Sequence, residues 1–591
     1  MIQQAALAVR DSVVALRFPL ATAGATEARA DSEAMVRQFE DHVLPRLANL
    51  DAPALVVVGG STGSGKSLLV NSVLRADVSR SGVLRPTTRC PVLVHHPDSV
   101  AWFSTGGILP GLARVTGSEA EHGEMGREIR LVSSTSLPAG IALLDAPDFD
   151  SVDAENRAMA TQLLAAADVW VFVTTAARYS DAVPWSFLKQ ARERDTPMVL
   201  VLNRVPPEAR AQVSAHLATL LKENGLGEVA ILRVDEQDFE GSRLPEATVA
   251  PLREWLEHLG SDHDARLAAV RRSLRGSLTE LLVRGESLAK IADDQAALVY
   301  SFTGSVDENY ANAADAVRAA IAEGSVLRGE VLARWEEFVG TGELLRQLRT
   351  GIGRFRDVIA GALTGRPKTA EKLNGTVEGV VESLIRAHSD EAAAKSYAQW
   401  MANPMMAPLF NPSGPYSAAL RVPPAGSSLT GTPDREPLRE RVSAELGRSS
   451  AALPLATEKL VREWQGSLLE VVRTRGAERR MTARVLSLGV NGVSAVLMML
   501  VFSHTGGLSG GEVAVAGGAS AAGHAMLEAL LGDENLRKMA GAAREDLEQR
   551  VTALYATEKA RFHEELRALG IDADAGKLLR EDLSALKKAL K

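Results

Sequence analysis

The sequence contains one cysteine, Cys90, among its 591 residues. A single thiol excludes both an intramolecular disulfide and a metal cluster built from several cysteines. An excess of basic charge is also missing, since 66 Lys and Arg stand against 74 Asp and Glu, for a formal net charge of -8. Such a chain has no overall attraction to nucleic acid, so we expect no nucleic-acid partner.

Aromatic residues are scarce at 4%, while Ala, Leu, Val and Arg are abundant. This composition favours helix over sheet. The opening stretch MIQQAALAVRDSVVAL lacks the basic start, apolar run and cleavage site of a secretory signal. We therefore expect a cytoplasmic protein, with a length that suits about three to four domains.

Short apolar runs alternate with helical stretches between residues 54 and 260. The runs are ALVVVGG, GIALLDAP, DVWVFVTTA, PMVLVLNRV and VAILRVD. Because they are apolar on both faces and are separated by helices, they predict an α/β domain with a mostly parallel sheet and helices on both sides. After residue 261 the strand signals stop, which predicts an extended all-α stalk.

The first apolar run leads into the P-loop pattern G-x-x-x-x-G-K-[ST], formed by Gly60, Ser61, Thr62, Gly63, Ser64, Gly65, Lys66 and Ser67. The strand before it and the helical stretch SLLVNSVL after it are the context that phosphate binding requires. Glycines allow backbone N–H groups to close around phosphates, while Lys66 reaches the β and γ oxygens and Ser67 ligates magnesium. The pattern predicts a nucleotide site.

Three later segments add polar residues at successive strand ends or loops. Thr88 lies in SGVLRPTTRCPVLV, where its hydroxyl and a neighbouring carbonyl suit magnesium and the attacking water. Asp145 ends a strand in IALLDAPD and suits a water-mediated magnesium contact, while Asp148 falls near the γ-phosphate. Asn203 and Arg204 end another strand, where a base can be gripped.

These positions define the candidate site. The candidate catalytic residues are Lys66, Thr88 and Asp145. The candidate ligands of Mg²⁺, the expected cofactor, are Ser67, Thr88 and Asp145. The candidate nucleotide-binding residues are the eight P-loop positions with Asp148, Asn203 and Arg204. Since no side chain is an obvious general base, we expect a water positioned by main chain near Thr88 to be the nucleophile.

Several phrases together resemble the dynamin superfamily of large GTPases, especially its bacterial members. They are Thr88-Arg-x-Pro91, Asp145-x-Pro, AADVWVFVTTA and Asn203-Arg204. The resemblance covers about residues 54–260 by motif and the rest only by architecture. It implies GTP as substrate, a helical stalk with a membrane-engaging tip, and a homo-oligomer or a paralogous dynamin-like partner held through the GTPase domain.

Two departures from the family pattern concern hydrolysis. Asp148 replaces the glycine of Asp-x-Pro-Gly and places a carboxylate near the γ-phosphate. Thr62 and Gly63 replace a polar Gln-Ser pair that orients water in many relatives. We therefore predict slow hydrolysis unless a second GTPase domain contributes groups, and a non-hydrolysing nucleotide-binding scaffold is the alternative.

A third departure concerns the base. Pro206 stands where the family has an Asp that pairs with guanine, and a proline side chain cannot accept those hydrogen bonds. Glu208 or Asp235 are candidate substitutes. The choice between GTP and ATP therefore stays open.

Residues 485–531 predict an apolar helical hairpin. Val485 to Gly511 contains no Asp, Glu, Lys or Arg, and Val485 to Phe502 alone is long enough as a helix, at roughly 27 Å, to approach the thickness of a bilayer core. Basic residues on both sides suit the anionic inner face of the cell membrane. Membrane contact and a hairpin buried inside the helical region are the two alternatives, and the LSGGE sequence within it is taken as a Gly-rich turn.

Two further predictions concern the remaining helices. An apolar stripe on a long charged helix, from Leu547 to Leu569, is expected to pack antiparallel to the helix at 31–49. The Pro- and Gly-rich stretch 396–437 is expected to be an extended loop or insertion. For its Trp400, Met405, Met406 and Phe410, contact with a partner or a bilayer is one alternative, and packing onto the helices is the one we expect. The predicted domains are 1–50 (N-terminal helices), 51–260 (GTPase domain), 261–484 (stalk), 485–531 (apolar hairpin) and 532–591 (C-terminal helices).

Overall fold

The computed structural model describes residues 1–79, 90–105, 107–116, 128–151, 153–237, 243–322, 367–406, 446–475 and 533–591. The predictions made for Thr88, for the apolar hairpin 485–531 and for most of the stretch 396–437 lie outside the described residues. What the structure describes is an α/β domain followed by a long helical region.

Within the described residues, eight strands form one sheet in the order β3-β4-β2-β5-β1-β6-β7-β8. The strands are β1 (Ala54–Gly60), β2 (Val92–His95), β3 (Ala113–Thr116), β4 (Glu128–Ser133), β5 (Ile141–Asp145), β6 (Val169–Thr175), β7 (Met198–Val205) and β8 (Ala230–Asp235). The five apolar runs of the sequence are β1, β5, β6, β7 and β8. They pair in parallel, so the predicted mostly parallel sheet is confirmed.

Three strands at one edge run in the opposite direction. β2 pairs antiparallel with β5, bringing Val94 opposite Leu143, and β4 and β3 continue parallel to β2. The short runs of β3 and β4 carry no continuous apolar signal: every residue of β3 is exposed or half-buried, and in β4 only Ile129 and Leu131 are buried. β3 and β4 were therefore not predicted from the sequence.

Helices cover both faces of the sheet, as predicted. Those of the domain are α4 (Lys66–Leu74), α5 (Val100–Ser104), α6 (Ala154–Ala165), α7 (Ala182–Glu193), α8 (Arg210–Glu223) and α9 (Glu246–Ser261). One apolar core lies between the sheet and α5 to α8, and it includes Leu55, Trp170 and Phe172. The other lies under α4 and α9 and includes Val56 and Val171. Successive residues of a strand point to opposite faces, which explains why β1 and β6, covered on both sides, are buried at every position.

The helical region is built on one long helix. Its helices are α1 (Ile2–Ala15), α2 (Ala25–Gln38), α3 (Leu44–Ala48), α10 (His263–Ala322), α11 (Pro367–Ala402), α12 (Leu453–Arg475), α13 (Asp533–Ala568) and α14 (Ala575–Ala589). With 60 residues, α10 extends for about 90 Å. Val270 near its start joins the core of the α/β domain, whereas Val317 near its end lies in the helical bundle. One helix therefore connects both parts.

Two groups of helices pack along α10. Nearer the α/β domain, α1 to α3 and α14 share an apolar core with the first half of α10. Farther away, the second half of α10 packs with α11, α12 and α13. The stripe from Leu547 to Leu569 faces this distal bundle, so its predicted pairing with residues 31–49 is wrong. The last helix, α14, takes the place beside the N-terminal helices because its leucines complete their core.

The predicted helix at 31–49 is interrupted. It consists of the end of α2, a π-helical turn at Phe39–Val43 and α3. The stretch expected to be a loop from residue 396 begins later, because α11 continues to Ala402. Trp400 and Met406 are buried in the distal bundle, as expected, whereas Met405 is 38% exposed. Phe410 lies outside the described residues. None of the helices within the described ranges combines the length and apolarity needed to cross a bilayer.

Candidate functional site

The phosphate loop connects the carboxyl end of β1 to the start of α4. The helix begins at Lys66, directly after Gly65, whose φ of 89° lies in the left-handed region. A Cβ atom at this position would also approach the Asn203 side-chain nitrogen to 2.6 Å. Glycine is required here for both reasons, and the backbone can thus turn tightly into the helix N-terminus.

Lys66 is held in the loop by main-chain carbonyls. Its ammonium group donates to the carbonyl oxygens of Gly60 at 3.0 Å and Ser61 at 3.4 Å. The side chain is 5% exposed and also forms an ion pair with Asp148. The cation expected to meet the terminal phosphates is therefore in place, and its partner in the described structure is a carboxylate.

Ser67 and Asp145 meet below the loop. The Ser67 hydroxyl donates to Asp145 Oδ2 at 2.7 Å, and Ser79 donates to the same oxygen. Asp145 is completely buried, and burial raises its pKa more than the hydrogen bonds from Ser79 and Ser67 lower it. Among the residues that the structure describes, its Oδ1 has no hydrogen-bond partner.

This pair fits the magnesium ion that the family implies. A hydroxyl and a carboxylate beside a phosphate loop are the oxygen donors that Mg²⁺ takes in nucleotide sites. The unbonded Asp145 oxygen is an acceptor aimed into a buried region, and such atoms are rare unless a ligand, ion or water completes them. Ser67 and Asp145 would therefore hold the ion, directly or through water.

A second carboxylate, Asp150, contacts the loop at Thr62. Its Oδ1 accepts the Thr62 N–H at 2.6 Å and the Thr62 hydroxyl at 2.9 Å, while Arg178 pairs with Oδ2 at 2.7 Å. Against the effect of burial, the Thr62 donors and the Arg178 charge lower the pKa of Asp150. The Arg178 guanidinium also donates to the Thr62 carbonyl at 3.1 Å.

Sequence reasoning missed Ser79, Asp150 and Arg178. Asp150 follows Asp148 by two residues in DAPDFD, so a second acid near the loop was visible in the sequence. The sequence carried no comparable signal for Arg178, which follows β6, or for Ser79, which follows α4. Both are brought to the site by the arrangement of the strands.

Asn203 ties β7 to the phosphate loop. Its side-chain nitrogen donates to the Ser64 carbonyl at 2.8 Å, and its oxygen accepts the Arg204 N–H at 2.9 Å. Asn203 is buried, whereas the Arg204 side chain is exposed on a backbone with φ of 54°. Asn203 thus braces the loop, and Arg204 is free to lie beside a base.

The region beyond β7 offers several groups to a base. Asp235, at the end of β8, forms ion pairs with Arg210 at 2.9 Å and with Arg233 at 3.0 Å. Glu208 is exposed in a short 3₁₀ turn that follows Pro206. Asp235 is a weaker candidate for guanine recognition than the sequence indicated, because its carboxylate already has two cationic partners.

The structure brings Lys66, Ser67, Asp145 and Asp148 together at the carboxyl ends of β1 and β5, with Asn203 from β7 beside them. In an open parallel sheet this is the edge where ligands bind. The strand, glycine-dependent turn, buried lysine and helix N-terminus define a P-loop nucleotide-binding domain.

The particular family follows from comparison. Residues 56–205 match the model of the Dynamin family, which spans about a quarter of the chain. This part of the chain is therefore a dynamin-family domain, and the resemblance noted in the sequence is confirmed. No curated protein is significantly similar to the chain.

Solved structures give weaker likenesses. Two are from an oligomerised bacterial dynamin pair that provides a mechanism for long-range sensing and tethering of membranes. Each is 10% identical in sequence to this chain. The first alignment covers 100% of this chain and 95% of the solved chain, with a TM-score of 0.41. The second covers 94% of this chain and 95% of the solved chain, with a TM-score of 0.37. Toc33 from Arabidopsis thaliana, in complex with Mg²⁺ and GMPPNP, has 16% identity over 39% of this chain and 92% of its own, with 0.23. These TM-scores are all below 0.5, so no conclusion about this chain depends on them.

Proposed function

We propose that the chain is a dynamin-like GTPase that binds GTP with Mg²⁺, hydrolyses it slowly, and couples its nucleotide state to membrane contact. The observation that carries the proposal is the phosphate loop of a dynamin-family domain, with Lys66 buried beside the Gly60 and Ser61 carbonyls. A buried ammonium at a helix N-terminus is suited to an anion such as a phosphate group.

The chain's own residues have distinct parts in this proposal. The N–H groups of residues 60–65 and the Lys66 ammonium stabilise the charge that develops on the phosphates. Ser67 and Asp145 would hold Mg²⁺, which would supply neutralisation of phosphate charge when bound. Thr88 is proposed to complete the metal site and to hold the attacking water. Asn203 keeps the loop in shape, and Arg204 lies over the base.

Helix α10 is proposed to transmit conformational changes at the nucleotide site to the distal helical bundle. Its first turns are fastened to the α/β domain, since Ser273 donates to the Ala167 carbonyl at 3.1 Å and Glu280 pairs with Arg194 at 2.8 Å. Its far end belongs to the distal bundle. A rigid helix fixed at both ends transmits a displacement along its length, and the segment 485–531 is proposed to contact lipid beyond it.

Nucleotide binding tests the first part of the proposal. Titration of the full chain with fluorescent GTP and ATP analogues, with and without Mg²⁺, measures affinity and base preference together. Lys66→Ala should weaken binding at least about tenfold, since it removes a buried cation from the phosphates. Lys189→Ala, an exposed lysine on α7, is the matched control and should bind as the wild type does. Equal affinity of both variants would remove the proposed site.

Membrane contact is tested by sedimentation with liposomes that contain anionic lipid. The intact chain should sediment with them, and a chain lacking residues 485–531 should stay in the supernatant. Phosphate release measured in the same tubes should rise with liposomes only for the intact chain. A deletion variant that sediments equally well would place lipid contact elsewhere.

One observation favours a second function, that of a nucleotide-binding scaffold with little turnover. Asp148 pairs with Lys66, the cation on which hydrolysis would depend. A scaffold of this kind would bind nucleotide and lipid but release no phosphate above the level of Lys66→Ala. That measurement separates the two functions, and partners would then be homo-oligomeric or paralogous copies held through the GTPase domain.

A further inference from the structure

Two carboxylates from the segment after β5 occupy the phosphate loop. Asp148 forms an ion pair with the Lys66 ammonium, and Asp150 accepts the Thr62 N–H at 2.6 Å. Both contacted groups are donors that a P-loop directs at phosphate oxygens. The chain thus places negative charge of its own where a nucleotide would place its phosphates.

The two carboxylates differ in how firmly they are held. Asp150 has a second cation, Arg178, which itself donates to the Thr62 carbonyl, so this group is braced independently of Lys66. Asp148 has Lys66 as its ion-pair partner and is 18% exposed. Asp148 is therefore the carboxylate that can leave the loop with the smaller loss of contacts.

Departure of Asp148 is required for some ligands and not for others. The lysine of a P-loop reaches both the β- and the γ-phosphate. A diphosphate leaves the γ region empty, so the Asp148 carboxylate can stay on Lys66 beside it. A triphosphate brings a γ-phosphate to that same region, where it would stand directly against the Asp148 carboxylate on Lys66, and two like charges in close contact repel each other.

We propose that Asp148 sets the nucleotide selectivity of this site by competing with the γ-phosphate for Lys66, so that the chain retains nucleoside diphosphate in preference to triphosphate. The inference rests on the proposed nucleotide-binding function. In the protein without nucleotide, the Asp148 carboxylate on Lys66 therefore favours diphosphate over triphosphate. Triphosphate binds only if the segment that carries Asp148 moves away from Lys66.

The experiment compares two affinities in one protein. Dissociation constants of GDP and of the non-hydrolysable triphosphate GMPPNP are measured by calorimetry for the full chain with Mg²⁺, and the adenine pair is measured in the same way. The wild type should bind diphosphate more tightly than triphosphate. The ratio to compare is the dissociation constant of the triphosphate divided by that of the diphosphate. Asp148→Asn should lower this ratio by at least about tenfold, mainly because the triphosphate binds more tightly.

Two further variants keep the test decisive. Asp148→Gly removes the side chain altogether and should change the ratio in the same direction, with thermal unfolding showing that both variants fold. Asp98→Asn makes the same charge change at a side chain that is 79% exposed, and its ratio should stay at the wild-type value. Agreement of both Asp148 variants against this control would exclude a general charge effect.

Three results overturn the inference. A wild type that binds triphosphate as tightly as diphosphate contradicts it without any variant. A ratio that Asp148→Asn leaves unchanged, or weaker triphosphate binding in that variant, shows that the carboxylate does not compete with phosphate. If the wild type binds neither the guanine nor the adenine pair, the proposed function fails as well, whereas the other results overturn the inference alone.

Discussion

The two ends of the central sheet each contain a completely buried aspartate, and the two are satisfied in different ways. At the carboxyl end, Asp145 accepts hydrogen bonds from the hydroxyls of Ser67 and Ser79 and keeps one oxygen unbonded within the described structure. At the amino end, Asp168 pairs with the Arg46 guanidinium, contacts His42 at 3.3 Å, and accepts the Leu55 N–H at 2.6 Å.

The two carboxylates respond to burial differently. Burial raises the pKa of Asp145, and the hydrogen bonds from Ser79 and Ser67 together with the Lys66 charge lower it by less. Burial acts on Asp168 too, but the Arg46 charge and the hydrogen bonds from His42 and Leu55 hold its pKa below the ordinary value. A buried carboxylate that is paired with a cation of the protein has a structural role. A buried carboxylate without such a cation is suited to bind a cation from solution. We call the end of the sheet at Asp168 the closed end, because its carboxylate is fully paired, and the end at Asp145 the receptive end, because one of its oxygens is unbonded within the described residues.

Loss of the closed end should have the largest effect on stability. Asp168→Ala leaves the Arg46 guanidinium buried without its partner, which typically costs about 3–5 kcal/mol. Equilibrium unfolding in urea, followed by tryptophan fluorescence, measures the change. Asp98→Ala removes an exposed carboxylate of the same domain and should cost less than about 1 kcal/mol. Similar losses in both variants would contradict the structural role of Asp168.

Asp41 is a third buried aspartate of the domain, and it has a neutral hydrogen-bond donor instead of a cation beside it. It lies in the π-helical turn before α3, and burial raises its pKa to about 6, with the Gln162 amide as its hydrogen-bond donor at 2.7 Å. Because the folded pKa of Asp41 exceeds the unfolded one, the contribution of this group to the free energy of unfolding is largest below about pH 4 and decreases by up to about 3 kcal/mol as the pH rises through about 6. Asp41→Asn should abolish this decrease, so it should be more stable than the wild type at pH 7.

Thermal unfolding of the wild type and Asp41→Asn at pH 5 and pH 7 checks this. The difference between the two proteins should grow with pH. A difference that is the same at both values would mean that Asp41 does not titrate in this range.

A smaller effect should come from the joint between the closed end and α10. A methyl group at Gly276 would lie 1.6 Å from the Arg194 carbonyl oxygen, so Gly276→Ala must move α10 away from the α/β domain. We expect a loss of about 2 kcal/mol. Gly304→Ala, on the same helix with no atom within 4 Å, should instead stabilise by about 0.5–1 kcal/mol. Denaturation of the two variants in parallel gives the comparison, and equal changes would mean that the close approach is unimportant.

At the receptive end, stability should change least while ligand binding changes most. Asp145→Asn removes a carboxylate whose ionised form is disfavoured by burial, so we expect its stability to change by less than about 1 kcal/mol. Mg²⁺-dependent binding of nucleotide should nevertheless fall at least about tenfold. Thermal unfolding and calorimetric titration on one sample measure both. Strong destabilisation with unchanged binding would make Asp145 structural, like Asp168.

Much of the α/β domain could be predicted because its signals are local. The strands β1, β5, β6, β7 and β8 are predominantly apolar runs in the sequence, and the P-loop is a fixed spacing of glycines, lysine and serine. The edge strands β3 and β4 escaped prediction since they are short and only partly buried. The packing partner of α13 was predicted wrongly because an apolar stripe determines that a helix is buried, not which helix covers it.

The candidate site shows the same division. Lys66, Ser67 and Asp145 were predicted from motifs, and the structure brings them together at one edge of the sheet. The pairing of Asp150 with Thr62, 88 residues away, depends on the parallel pairing of β1 with β5, which places the loops after these strands side by side. The contact of Arg178, which lies 116 residues from Thr62, depends in the same way on the pairing of β1 with β6.

The sequence by itself determined the class of the domain, because phosphate binding needs a short pattern of residues on a strand, a turn and a helix. Only the tertiary structure decided that Asp148 lies on Lys66, that Asp168 lies beside Arg46, and that α14 rather than α13 covers the N-terminal helices. The physical reason is separation along the chain: charges and apolar faces of many helices are compatible with several partners, and the partner is selected when the sheet and the bundle pack as a whole.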